Sequence, residues 1–219
     1  MSTGKHVVLA GATGLVGERC VLRLLEHSAY SRVTVWSRRP LSRTHPKLAV
    51  EVVNFDLLPS LPPACAEVFC CLGTTISVAG SQEAFRRVDH DYPVALAERA
   101  RAAGVRQFLM VSSLGADAQS TNFYLRVKGE TERDIAALGL PRHLFFRPSL
   151  LLGNRQEHRS GERIAIVASR FLAPLLVGPI RKYRPIEADD LAAAMVRAAN
   201  FDLPSGAIES DRIAQLARG

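Results

Sequence analysis

Apolar and polar positions along this chain follow two periods, and the order of those periods predicts its architecture. His6 to Ala12 is a short apolar run with Gly11 near its end, the pattern of a buried strand. From Gly14 to His27 the apolar residues Leu15, Val16, Val21, Leu22, Leu24 and Leu25 recur at helical spacing. Further strands are expected at Arg32 to Ser37, Leu48 to Phe55 and Val68 to Leu72. Ser81 to Ala103 reads as one long helix stopped by Gly104, and Phe108 to Ser112 as the fifth strand. Phe123 to Leu138 is a helix stopped by Gly139, and His143 to Leu152 a sixth strand broken by Pro148. Beyond Gly153 the alternation loosens: Ile164 to Leu176 and Asp190 to Asn200 read as helices, Ala207 to Ile208 as a late strand. Strands alternating with helices predict right-handed βαβ units, hence an α/β fold with a doubly wound parallel sheet. A single domain over residues 1–219 is expected, with residues 153–219 partly forming a small C-terminal lobe.

Composition narrows the functional classes. The 219 residues are enough for a full hydrophobic core. No apolar run approaches the roughly 20 residues that cross a bilayer, and Met1 to Lys5 leads straight into a strand without signal-peptide layout. A cytoplasmic protein without membrane contact is therefore expected. The net charge of +7 invites nucleic acid, but the cations are scattered from Arg19 to Arg218 without a basic block or interleaved aromatics. No nucleic-acid partner is expected. Cys20, Cys65, Cys70 and Cys71 lack paired metal-ligand spacing and read as small buried hydrophobes, so no metal is expected.

The chemistry begins at GATGLVG, with Gly11, Gly14 and Gly17 between the first strand and first helix. A strand must turn sharply there, and a pyrophosphate must reach backbone N–H groups and the positive end of a helix without a Cβ in the way. The spacing is G-x-x-G-x-x-G rather than G-x-G-x-x-G, but strand before and helix after supply the required context. The expected architecture is thus a Rossmann fold binding a dinucleotide. At the end of the second strand stand Ser37, Arg38 and Arg39, with no carboxylate until Glu51. Two guanidinium groups suit a 2′-phosphate, so NADP(H) is expected in preference to NAD(H).

Tyr124 and Lys128 lie four apart on one helix and share a face. A lysine cation beside a phenol stabilises the phenolate, which suits general acid–base work on a carbonyl or alcohol. Lys128 could also hydrogen-bond the nicotinamide ribose. Ser112 and Ser113 close the fifth strand; a hydroxyl there would orient the substrate oxygen, Ser113 being preferred and Ser112 close behind.

These residues carry a family resemblance. The chain resembles the short-chain dehydrogenase/reductase superfamily, as an atypical short member similar to the oxidoreductase family of the human Tat-interacting tumour-suppressor protein and its bacterial relatives. The segments that carry it are GATGLVG, SRR, FCCLGTT, RVDHDY, VSSLGAD, NFYLRVKGETE and FRPSLLLGNRQEHRSGE. The resemblance implies NADPH as cofactor and Tyr124 as proton donor or acceptor. It implies that Thr13, Gly14, Leu15 and Val16 line the phosphate turn, that Arg38 and Arg39 meet the 2′-phosphate, and that Leu72 and Gly73 pass the adenosine and ribose. Pro148 and Leu151 would flank the nicotinamide, and Arg159 would reach back to the cofactor. Either Asp56-Leu57 or Asn54-Phe55 would occupy the adenine contact. Two functions compete: an NADP(H)-dependent oxidoreductase with a small carbonyl or alcohol substrate, and an NADP(H)-binding regulator or scaffold without turnover. The acid–base pair favours the enzyme; the short C-terminal lobe favours the regulator slightly. Monomer and homodimer fit the sequence equally.

Overall fold

The first strand, β1 (Lys5–Ala10), shows why a parallel sheet forms: its residues alternate between two cores, and both are dry. Val7 and Leu9 face one layer of helices, Val8 and Ala10 the other, so the strand reads as a continuous apolar run. A computed structural model describes residues 4–153 and 178–219. After β1 come α1 (Leu15–Glu26), β2 (Tyr30–Ser37), β3 (Leu48–Val52) and β4 (Cys65–Cys70). Two short helices follow, α2 (Ile76–Ala79) and α3 (Gln82–Arg86), then a π-helical turn over Arg87–Asp91 that runs into α4 (Tyr92–Ala102). The chain continues through β5 (Gln107–Val111), α5 (Phe123–Ala137), β6 (His143–Arg147) and β7 (Leu151–Leu152). The last described elements are a 3₁₀ turn (Gly178–Tyr183), β8 (Ile186–Glu187), α6 (Ala188–Ala198), β9 (Gly206–Glu209) and α7 (Ser210–Arg218).

Seven strands form one wholly parallel sheet in the order β3-β2-β1-β4-β5-β6-β9. The order reverses between β1 and β4, and the crevice above that point is where open α/β sheets bind ligands. On one face α1 packs Cys20, Val21 and Leu24 against Leu191, Ala192 and Met195 of α6. On the other, Leu96, Ala97 and Ala100 of α4 and Ile135 of α5 cover Val8, Ala10 and Phe108. Trp36 is fully buried and donates its indole N–H to Glu51 at 2.8 Å. Cys20, Cys65 and Cys70 are buried as expected, and burial pushes Cys65 up to about 11 and Cys70 up to about 12, whereas Cys71 is half-buried.

Three boundaries depart from the expectations, while the late strand at Ala207 to Ile208 is present. The strand expected to reach Phe55 stops at Val52, because Asn54 turns the chain by accepting the Asp56 N–H on its side chain. The strand expected over His143 to Leu152 ends at Arg147; beyond Pro148, Leu151 and Leu152 pair with β8 in a separate two-stranded ribbon. The late strand at Ala207 is the seventh member of the main sheet, beside β6. With α6 sharing the core of α1 and β9 extending the sheet, most of the described tail belongs to the central layers; the part standing apart is the β7–β8 ribbon. Finally, the long helix expected from Ser81 is interrupted at Arg87–Asp91. The helix expected over 164–176 lies outside the described residues.

Candidate cofactor and active site

At the crevice the glycine turn is built by steric necessity. Gly11 has φ +92°, a conformation L side chains rarely adopt, and a Cβ there would collide with the Cys71 carbonyl and lie 2.8 Å from Leu72 N. Gly17, in the first turn of α1, would drive its Cβ into the Gly11 carbonyl. Gly14 caps α1 in an extended conformation, donating its N–H to Gly11 O at 3.1 Å, and offers no capping side chain. The helix therefore opens onto the crevice with bare backbone amides.

A cleft of about 910 Å³ lies over this turn, at the upper end of the roughly 300–1,000 Å³ of small-molecule sites. Gly11, Thr13, Gly14 and Leu15 form its floor; Leu72, Gly73 and Thr74 pass along one side, Trp36, Ser37 and Arg38 along another. Phe55, one of the two adenine alternatives, also lines it, with Ala12, Thr75 and Tyr92 from the resemblance segments and Val78, to which sequence reasoning gave no role. Phe55 and Tyr92 stand with ring centroids 5.6 Å apart, and the Tyr92 hydroxyl donates to Asp56 at 2.9 Å. Of the two adenine alternatives, Phe55 lines the cleft while Leu57 is 76% exposed. The glycine cradle, which a Cβ would fill, fits the backbone approach of a dinucleotide's diphosphate.

Behind Gly73 sits the titratable cluster. Lys128 is buried in α5, and its Nζ forms an ion pair with Asp89 Oδ1 at 2.7 Å. Burial alone would lower the affinity of this lysine for its proton, but the Asp89 carboxylate and Tyr124 outweigh it, and the net effect is upward. A Cβ on Gly73 would lie 3.4 Å from Asp89 Oδ1 and 3.9 Å from Lys128 Nζ, so this glycine is all that separates the cleft wall from the pair. Tyr124 is half-buried and its ring packs 5.6 Å from Phe85. Gly129 lets the loop after β5 lie directly on α5, since a Cβ there would collide with Asp117 and Ala118.

The two serines differ. Ser112 is buried and donates to Glu132, which in turn accepts from Arg147, itself paired with Glu209 at 3.2 Å. Ser113 is half-buried, and the hydroxyl's recorded bond is a 3.5 Å contact to Leu114 O. Of the remaining expected residues, Val16 and Gly17 are buried beneath the turn rather than on the cleft surface. Arg39 is exposed and does not line the cleft, although its N–H donates to Ser37 Oγ at 3.3 Å. Pro148 is buried, and its carbonyl accepts from Leu114 N at 2.9 Å. Leu151 lies in β7, and Gly153 beyond it presses on the Leu15 side chain. Arg159 lies outside the described residues. Asp89 lies in the RVDHDY segment that carries the resemblance, but sequence reasoning gave it no role.

The comparisons agree with this geometry. Residues 11–201 match the family model described as NAD(P)H-binding. The protein HTATIP2 of Rattus norvegicus is 41% identical over 167 residues, covering 74% of this chain and 69% of that one. The mitochondrial protein fmp52 of Aspergillus fumigatus is 35% identical over 217 residues, covering 92% of this chain and 91% of its own length. Among solved structures, the human epimerase family protein SDR39U1 with NADPH superposes with a TM-score of 0.60 at 17% identity, over 96% of this chain and 78% of that one, a likeness of fold alone. By its glycine turn, its sheet order and these relatives, the chain belongs to the NAD(P)H-binding family, among the atypical short-chain dehydrogenases/reductases.

Proposed function

We propose that this chain is an NADP(H)-dependent oxidoreductase that interconverts a small carbonyl compound and its alcohol. One observation supports the reading: the ammonium of buried Lys128, four residues after Tyr124 on the same helix, lies 3.9 Å from where a Cβ on the cleft-lining Gly73 would stand. A bound nicotinamide cofactor would supply the hydride. The chain's own residues do the rest. Tyr124 gives its phenolic proton to the oxygen of a carbonyl substrate, and takes it back in the other direction. The Lys128 cation stabilises the phenolate left behind. Ser113 is assigned to orient the substrate oxygen, because the Ser112 hydroxyl is committed to Glu132. Gly11, Thr13, Gly14 and Leu15 hold the diphosphate, Leu72 and Gly73 the adenosine and ribose, and Arg38 with Arg39 the 2′-phosphate. Pro148 and Leu151 flank the nicotinamide.

The test is NADPH absorbance followed with a panel of aldehydes, ketones and quinones, for the wild type and Tyr124→Phe. Turnover in the wild type, lost in the variant with NADPH affinity kept, is the expected result. If both proteins bind NADPH tightly and neither turns anything over, the enzyme reading fails and the regulator reading takes its place. We place the protein in the cytoplasm as a monomer or homodimer. Because the fungal relatives are named mitochondrial, fractionation against mitochondrial markers tests the location.

A further inference from the structure

We infer that Asp89 is a positioning residue, which holds the Lys128 ammonium against the cleft wall and ties it to the cofactor-lining loop through Thr74. The inference rests on the Tyr124–Lys128 reading above. Asp89 is 1% exposed and uses both carboxylate oxygens: Oδ1 lies 2.7 Å from Lys128 Nζ, and Oδ2 accepts the Thr74 N–H at 2.8 Å. Thr74 and Gly73 line the cleft. One side chain thus links the surface that would meet a dinucleotide to the cation of the acid–base pair.

The backbone is bent to put it there. Arg87–Asp91 is a π-helical turn in which the Tyr92 N–H reaches back to Arg87 O. Pro93 lacks the N–H that a regular helix would direct at Asp89 O, and Thr131 of α5 supplies a donor to that carbonyl instead, at 2.9 Å. The extra residue rotates the preceding segment by about 100° relative to a continuous helix. Such single turns recur where a side chain must be re-aimed. Asp89 therefore faces α5 and the end of β4.

The consequence is electrostatic. The groups acting on the Lys128 ammonium are Asp89 from the π turn, Tyr124 from its own helix and Cys70 from β4. Asp89 is the carboxylate among them, and it engages one side of the ammonium, whose other N–H groups would serve Tyr124 and a ribose. Without the carboxylate, a buried ammonium faces only a phenol and a thiol. It should then lose its proton far more readily.

The experiment follows the Nζ resonances of ¹⁵N-lysine-labelled protein with pH. Four lysines give a simple spectrum, assigned by replacing Lys5, Lys47 and Lys182 with arginine in turn. In the wild type, Lys128 should hold its proton above the ordinary lysine value of about 10.4. Asp89→Asn keeps an acceptor for the Thr74 N–H and the side-chain volume; there the Lys128 midpoint should fall by about 1–3 pH units. The alkaline limb of the NADPH turnover profile should move down with it. A wild-type Lys128 that titrates with or before the others overturns the inference even if the variant does not fold. So does a folded Asp89→Asn whose Lys128 midpoint is unmoved. The titration needs neither cofactor nor substrate, so its failure leaves the oxidoreductase reading to its own assay.

Discussion

Arg38 and Arg39 are adjacent in sequence and chemically identical, yet the end of β2 sends them different ways. Arg38 stands on the cleft wall; Arg39 does not line it. Trp36, Ser37 and Arg38 line the cleft in succession as β2 ends, and the chain has left it by Arg39. If a 2′-phosphate is recognised here, Arg38 should supply most of the recognition. Charge-assisted hydrogen bonds contribute about 1.5–3 kcal/mol, so Arg38→Ala is expected to weaken NADPH binding at least tenfold, measured by titration calorimetry. NADH affinity should change little, and Arg39→Ala should cost NADPH less than Arg38→Ala. Equal losses for the two nucleotides would refute the preference for NADP(H). The glycine turn rests on harder ground than this, since Gly11 and Gly17 exclude side chains through backbone collisions that no rotamer change relieves.

Among elements, the π turn is the one whose form most affects the site. Its freed Asp89 carbonyl is held by the Thr131 hydroxyl, which also lies 2.8 Å from Val127 O. Thr131→Val preserves shape and removes the donor from a fully buried position. A buried carbonyl left without its partner costs about 1–3 kcal/mol, so urea unfolding should show a loss of that size. An unchanged midpoint would mean that this bond does not hold the turn. The sheet itself was legible, because strands buried on both faces read as apolar runs and helices between them show a 3.6-residue period. The phosphate turn was legible too, since glycines demanded by close approach leave a spacing in the sequence. The π turn was not: apolar periodicity from Phe85 to Ala100 looks helical throughout, and one inserted residue leaves no compositional mark. With the turn went the role of Asp89, which stands in the RVDHDY segment but depends on a rotation that the segment does not announce. The choice between Ser112 and Ser113 was hidden for another reason. It depends on Glu132 and Arg147, long-range partners that no local pattern announces.

Taken whole, the molecule is stapled across its sheet by buried polar groups whose protonation should set its acid stability. At the end of the sheet opposite the cleft, Lys5 pairs with Glu67 at 2.6 Å, and Tyr30 donates to the same carboxylate while accepting from Asn200. Burial, with Glu67 beside it, drives the Tyr30 phenol well above its ordinary range, so Tyr30 keeps its proton at working pH. The histidines are different. His6 lies 2.8 Å from Thr34 Oγ1, and burial lowers its pKa; His143 stacks on Phe145 with a buried, unpartnered Nδ1, and burial lowers its pKa as well. Each is favoured neutral in the fold, while the unfolded chain binds its proton near 6.5. Their contribution is therefore fully present above that pH and is lost as pH falls through the lower folded values. The melting temperature, followed from pH 8 to pH 5 at constant ionic strength, should be level at first and then decline below about 6.5. His143→Phe keeps the ring stack and removes one titrating group, so it should flatten part of that decline. A wild-type profile that stays level to pH 5 would show that neither imidazole is held neutral by the fold.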